Sequence, residues 1–396
     1  MYPIADGTFI QSDLVESWSD REWLDEFKYL MEIKMHYIII GTSENTKVDV
    51  VDMCLKNALI CGLKVFISIN YNSSWWEKGS KDEKWLYEQM RIGGIIADQL
   101  YNKYHHKYRD SFYGWYFVYE VDNMNFNTRE KFIVLSKAIN ILLSHMRQKK
   151  HRLPLLISPF MNSAYGNAKT YADNWAYLFT HSELGQGDIF CPQDSVGGGG
   201  LKIDEVEEWF SKLRKAVDKK PGLLFWANTE TFDHTNWCSA PLKRFVHQMK
   251  IESRYVDNII TFAYSHYYSP NNIDKRLHEI YLDYTKTGCL VKDKPSPPKN
   301  ICVKRIGLNK FKIIWNKGES NLGIFGYELY RNGKRIFSTF LERKYGGKPS
   351  GIVYSYIDTV VLRWSFLPIV YEIRSIDLAG NVSDGTRYRV SHFMRF

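Results

Sequence analysis

Short runs of β-branched and aromatic residues alternate with longer amphipathic segments from the N-terminus to about residue 286, the pattern of repeated βα units. Eight runs are predicted as strands: residues 7–11, 36–42, 64–70, 113–120, 155–160, 188–193, 223–229 and 259–265. Between them apolar residues recur at helical spacing. Ser19 and Glu22 make a capping-box pair ahead of Trp23, Phe27 and Leu30, and similar stripes run over 48–58, 85–101, 132–146, 171–179, 206–217, 242–251 and 273–284. Eight strands, each followed by a helix, close a parallel barrel rather than an open sheet, so residues 1–290 are expected to form a (β/α)8 barrel.

Past residue 290 the period changes. The segment KDKPSPP can neither continue a helix nor enter a central strand, and residues 291–298 read as a stiff Pro-rich linker. Beyond it the repeat is two: Phe311, Ile313 and Trp315 alternate with Lys312, Ile314 and Asn316, and Tyr371, Ile373 and Ser375 alternate with Glu372 and Arg374. GYELYRNG ends in an Asn-Gly hairpin turn, and DLAGN supplies another turn. Residues 299–396 are therefore expected to form a small all-β sandwich.

A chain of 396 residues has room for both units. With 12 Trp and 27 Tyr, many rings must fill cores or line a groove where a flat ligand can stack. The net charge of +9 would suit an anionic partner, an acidic glycan included, but Lys and Arg are interleaved with Asp and Glu and no nucleic-acid motif accompanies them. No nucleic-acid partner is expected. The six Cys form no CxxC pair and no Cys/His zinc spacing, so buried free thiols, no metal and no cofactor are expected. No run is long and apolar enough to span a bilayer. MYPIADGTFIQ enters a strand at once, which fits a secreted or cell-surface monomer whose signal is absent from this chain, or else a cytoplasmic one.

In a closed barrel the reacting groups stand at the C-terminal strand ends. Glu120 ends strand four with Asp122 two residues on, Asp194 follows strand six, and Glu230 follows strand seven. Glycoside cleavage needs two carboxyls across a sugar: one protonated to serve the leaving oxygen, one to attack the anomeric carbon or activate water. Strands four and seven lie on opposite sides of such a barrel. Glu120 is expected as acid/base and Glu230 as nucleophile, giving a retaining reaction if the carboxyls lie about 5 Å apart, with Asp194 a third catalytic candidate. Around them stand Gln11 after strand one, Asn70, Tyr71, Trp75 and Trp76 after strand three, and Asn162 after strand five. Asn228 precedes Glu230, Trp237 lies in the next loop, and Tyr264, His266 and Tyr267 close strand eight. Amides and phenols bond to sugar hydroxyls, and ring faces stack on a pyranose. The four glycines of residues 197–200 lack the Lys-Ser/Thr of a P-loop and are expected to form a mobile loop over the cleft.

Through GTFIQ, GWYFVYEVDN, DIFCPQDSVG and LLFWANTETF, the first 285 or so residues resemble a family of bacterial TIM-barrel proteins of unknown function grouped with glycoside hydrolases. The placement of Glu120 and Glu230 is similar to the large glycosidase clan with glutamates at the ends of strands four and seven. That clan carries Asn before the strand-four Glu, where its amide contacts the sugar 2-hydroxyl; here Tyr119 holds the position. The spacing of Glu120 and Asp122 also resembles substrate-assisted enzymes acting on N-acetyl sugars, in which Asp194 would orient the acetamide or activate water. The Pro-rich start, Trp315, GYELYRNG and YEIRSIDLAGNVS resemble fibronectin type III domains, found mostly as spacers or ligand-presenting units. Together the resemblances imply a (β/α)8 TIM barrel followed by a small all-β fibronectin type III-like sandwich, hydrolysing a poly- or oligosaccharide.

Other barrel chemistries lack their residues. No His-x-His follows strand one, Lys64 begins rather than ends its strand, and the loops after strands seven and eight read TETFDHTNW and HYYSPNN instead of Gly-rich phosphate loops. A non-catalytic glycan-binding protein and a surface protein using the sandwich for a protein partner stay open as alternatives.

Overall fold

The computed structural model describes residues 2–42, 48–148, 152–341, 352–360 and 368–390. Eight parallel strands close a barrel in sequential order: β1 (Gly7–Gln11), β2 (Tyr37–Gly41), β3 (Lys64–Ser68), β4 (Phe112–Phe117), β5 (Leu155–Ile157), β6 (Ile189–Phe190), β7 (Leu224–Glu230) and β8 (Asn258–Phe262). The surrounding helices are α1 (Asp20–Glu32), α2 (Val50–Cys61), α3 (Glu83–Tyr104), α4 (Arg129–Gln148), α5 (Ala168–His181), α6 (Val206–Val217), α7 (Leu242–Glu252) and α8 (Lys275–Thr287). Ser19 and Glu22 do form the capping box of α1, whose Trp23, Phe27 and Leu30 are buried. Several strands are shorter than their apolar runs. β4 leaves the ladder after Phe117 and β6 after Phe190, and beyond Phe262 residues Tyr264–Tyr267 coil into one helical turn instead of prolonging β8.

Alternation along each strand sorts its side chains. Phe9, Ile39, Phe66, Leu156, Ile189, Cys191, Trp226 and Ile260 form an inner cluster, whereas Ile10, Ile38, Ile40, Val65, Ile67, Phe225 and Ala227 pack outward with the helices. Within the barrel Tyr37 meets Trp226 (ring centroids 4.9 Å apart) and Phe66 meets Tyr113 (5.2 Å). Each buried ring contributes roughly 1.5–3 kcal/mol, so these large side chains make the interior a packed plug.

The C-terminal part is antiparallel: β9 (Lys299–Arg305), β10 (Lys310–Asn316), β11 (Ile324–Arg331), β12 (Lys334–Phe340), β13 (Ser355–Thr359), β14 (Ile369–Asp377) and β15 (Thr386–Val390). A three-stranded sheet ordered β9-β10-β13 and a four-stranded sheet ordered β12-β11-β14-β15 share a core of Phe311, Ile313, Trp315, Tyr327, Leu329, Tyr371 and Ile373. Asn332 (φ 48°) and Gly333 (φ 80°) sit in the left-handed region that a two-residue hairpin turn between β11 and β12 demands. Residues 342–351, 361–367 and 391–396 of the span expected as sandwich lie outside the described residues.

The two parts touch. Phe325, Ile376 and Leu378 join the barrel's outer core, and the backbone N–H groups of Leu242 and Lys243, at the start of α7, donate to the carbonyls of Leu378 (3.4 Å) and Ala379 (2.9 Å). First-turn N–H groups have no partner within their own helix, so the C-terminal part caps α7. The approach needs glycine: at Gly380 (φ 91°) a Cβ would lie 2.7 Å from that of Pro241. Among the described residues the Cys are unpaired, three buried and Cys289 exposed, and no helix is long and apolar enough to cross a membrane.

Candidate active site

Alternation carries past the ladders into a cavity of ≈ 670 Å³ at the C-terminal strand ends. On β7 Leu224 and Trp226 face the barrel interior, and Asn228 and Glu230, continuing the same phase, line the cavity. From β4 onward Tyr116, Val118 and Glu120 step into it, and beyond β6 the phase of Ile189 and Cys191 brings Gln193 there. Glu120 and Glu230 therefore face one space. Of the other expected contacts, Gln11, Tyr71, Asn228, Trp76 and Trp237 line it too, the two indoles 51% and 59% exposed at its rim. Phe9, Asp13, Phe160, Phe232 and His234 contribute further wall.

The two glutamates live in different surroundings. Glu120 is partly open to the cavity; its Oε2 accepts the Gln193 Nε2–H (2.8 Å), and Gln193 also donates to the Ser158 carbonyl (3.3 Å). Burial raises its pKa and the Asp122 charge adds to this, against the Gln193 bond. Glu230 is 1% exposed, and its Oε2 accepts the Gly198 N–H at 2.6 Å. Burial, then the charge of Asp194, push its pKa well above the usual carboxylate range, Glu120 adding and the Gly198 N–H and Arg244 opposing.

Asp194 does not line the cavity. One residue out of phase with Gln193, it is fully buried behind β7, where it accepts the backbone N–H of Glu230 (3.2 Å), that of Val196 (3.1 Å) and the Gln248 Nε2–H (2.5 Å). Gln193 holds the place that the sequence reading gave to Asp194. The period of two through Ile189 and Cys191 was the signal that distinguishes them.

The remaining expected contacts lie outside the cavity wall. Trp75 is stacked between Tyr119 (4.8 Å) and Phe126 (5.4 Å) and donates its Nε1–H to the Glu120 carbonyl (2.9 Å). Asn70 donates to the Tyr119 hydroxyl (3.2 Å) and to Gln89 (3.3 Å), so this set braces Glu120 from behind. Asp122 accepts both the backbone N–H (2.6 Å) and the side-chain amide (2.8 Å) of Asn125, closing a turn. Asn162 caps the turn at Ser163–Tyr165 through the Ala164 N–H (2.9 Å). Because the chain coils after Phe262, Tyr264 reaches His278 (2.8 Å) behind the barrel, His266 packs on Phe262 and Tyr267 stacks on Phe232.

The tetraglycine is a packed wall rather than a loose cover. A Cβ at Gly200 would come 2.1 Å from the Met161 carbonyl oxygen, and one at Gly197 2.5 Å from that of Phe232 and 2.9 Å from the Glu230 Cβ. Glycine is required for the backbone to approach closely enough for Gly198 to donate to Glu230. Among the described residues no group of three or more His, Cys, Asp or Glu could hold a metal ion.

A closed (β/α)8 barrel with two buried-side glutamates in its open end defines an acid-bearing barrel protein. The chain belongs to the family described as a domain of unknown function, DUF4434, whose model matches residues 5–274. No curated protein matches the chain. Among solved structures it is similar to the endo-β-1,4-mannanase from Thermotoga petrophila, at 12% identity over 99% of this chain and 98% of that one, with a TM-score of 0.47. It is similar also to a GH18 chitinase from Pseudoalteromonas aurantia, at 11% identity over 72% and 100% (TM-score 0.47). The chitinase ChiA74 from Bacillus thuringiensis matches at 10% identity over 97% and 84% (TM-score 0.41).

Proposed function

We propose that the protein is a glycoside hydrolase acting on a poly- or oligosaccharide, with Glu120 and Glu230 as the reacting pair. The observation that carries the reading is the meeting of two carboxyls, from opposite sides of the barrel and both with raised pKa, in one aromatic-rimmed cavity. Trp76 and Trp237 offer ring faces at its mouth, and the buried Asn228 Oδ1, which has no partner among the described residues, offers an acceptor to a sugar hydroxyl. Asp13 and the two glutamates are the charged groups on the described wall and no Lys or Arg joins them, which favours a neutral glycan over an acidic one.

The surroundings of the pair favour a division of labour opposite to that expected from the strand-end residues. Glu230, the more deeply buried and the more strongly raised, holds the proton and delivers it to the leaving oxygen; Glu120 attacks the anomeric carbon. Glu230 senses the charge of Glu120 across the shared cavity, which supports a retaining reaction between the two. With Asp122 taken up by Asn125, nothing favours the substrate-assisted alternative. Residues 1–290 are read as the hydrolase domain, 291–298 as linker and 299–396 as a fibronectin type III-like module, the three-plus-four arrangement of seven strands supporting the last.

The test is a screen of neutral polysaccharides with wild type, Glu120→Gln and Glu230→Gln, following the anomer first released. Hydrolysis with retention, abolished by either change, is the expected result. Glycan binding without turnover by wild type would make the protein a binding module instead.

A further inference from the structure

Behind β7, sealed from the cavity, lies a second acid that no strand-end reading reaches. Glu252, the last residue of α7, is fully buried, and one of its oxygens accepts the hydroxyl of Thr229, the residue before Glu230. Among the described residues no N–H or hydroxyl donor reaches its other oxygen, and the Glu252 carboxyl hydrogen bonds with that of Asp194. Two carboxylates cannot donate to each other, so that contact requires one shared proton. The donors settle which acid is charged. Asp194 receives the backbone N–H groups of Val196 and Glu230 and the Gln248 amide, which also donates to the Glu230 carbonyl (3.1 Å).

We propose that Glu252 is a positioning residue: as a neutral acid it donates to Asp194, and the pair keeps one fixed negative charge directly behind Glu230. That charge gives the cavity glutamate its proton-holding character, so the inference rests on the proposed hydrolytic role of Glu230. The pKa directions agree, Glu230 and Glu252 standing well above the usual range, each through burial first and the Asp194 charge second, and Asp194 raised by burial against its donors. The other ionisable groups facing the cluster are Arg244 on α7, which opposes the rise at Glu230, Glu120 across the cavity, which adds to it, and the buried Cys191 thiol, itself pushed up by burial and by Glu252. α7 carries Arg244, Gln248 and Glu252 together, and its first turn is the one capped by the carbonyls of Leu378 and Ala379.

The test needs no substrate. In protein labelled with 13C at the glutamate carboxyls, the Glu230 resonance is assigned by its loss in Glu230→Gln and its midpoint is followed with pH. Asp194→Asn removes the charge and is expected to lower the midpoint by about one unit or more. Glu252→Gln still donates an N–H to Asp194 and is expected to leave the midpoint where it stands, whereas Glu252→Leu removes one of the four donors to Asp194 and is expected to lower the midpoint part of the way towards that of Asp194→Asn. An unmoved midpoint in Asp194→Asn overturns the proposal, as does a shift in Glu252→Gln equal to that in Asp194→Asn; neither comparison depends on Glu252→Leu folding. Because the reading is a titration, an inactive protein with the predicted midpoints would reject the hydrolase and leave this device standing. An active one with unmoved midpoints would do the reverse.

Discussion

On the strand-four side Glu120 stands three residues beyond the end of β4, its carbonyl held by Trp75 and its carboxyl touched by one amide, Gln193, with the cavity open before it. On the strand-seven side Glu230 is still in the ladder, paired with Phe262, and behind it Asp194, Gln248 and Glu252 form a fully buried polar layer. In the proposed reading, identical side chains take different tasks because of what surrounds them. One, steadied by aromatic packing and open to the cavity, serves as the attacking carboxylate; the other, enclosed among acids, serves as the proton donor.

The sharpest way to break this comparison is Glu120→Gln. Loss of the attacking group should lower hydrolysis roughly 10⁴-fold or more, for substrates with good and poor leaving groups alike. Glu230→Gln should cost about 10²–10⁴-fold on natural linkages yet little in the first-turnover burst of dinitrophenol from activated aryl glycosides, which leaves without a proton, the later turnovers being slowed by loss of the base that activates water. The opposite pattern of leaving-group dependence would exchange the roles. Gly200→Ala, which forces a methyl against the Met161 carbonyl oxygen, should destabilise the fold by about 1–3 kcal/mol in thermal unfolding, and the wall that supports Glu230 should suffer with it. Smallest, Trp75→Phe should cost about 1 kcal/mol through the lost bond to the Glu120 carbonyl, whereas Trp76→Ala should leave stability alone and raise KM for oligosaccharides.

The same contrast separates what the sequence discloses from what it hides. The barrel was legible because eight apolar runs with helical stripes between them have few other ways to bury their faces, and the two-residue period after residue 298 announced antiparallel sheet. Glu120 and Glu230 were legible as strand-end acids. Phase was the harder matter: Gln193 and Asp194 are neighbours, and only the alternation through Ile189 and Cys191 tells which one faces the cavity. Strand eight misled because Tyr264, His266 and Tyr267 continue an aromatic run that the backbone has already coiled into a helical turn. Glu252 was beyond reach from one sequence, since a Glu at a helix end is ordinarily a solvated residue and its burial depends on packing across α7. The tetraglycine looked mobile by composition, yet close approach, not freedom, is what it supplies.

A crystal structure of the Glu230→Gln variant soaked with a neutral oligosaccharide tests the central claim most directly. Sugar rings against Trp76 and Trp237, with the glycosidic oxygen at residue 230 and the anomeric carbon facing Glu120, are the predicted result. An oligosaccharide held only on the C-terminal sheets, or lying in the cavity with no linkage between the two side chains, would contradict it.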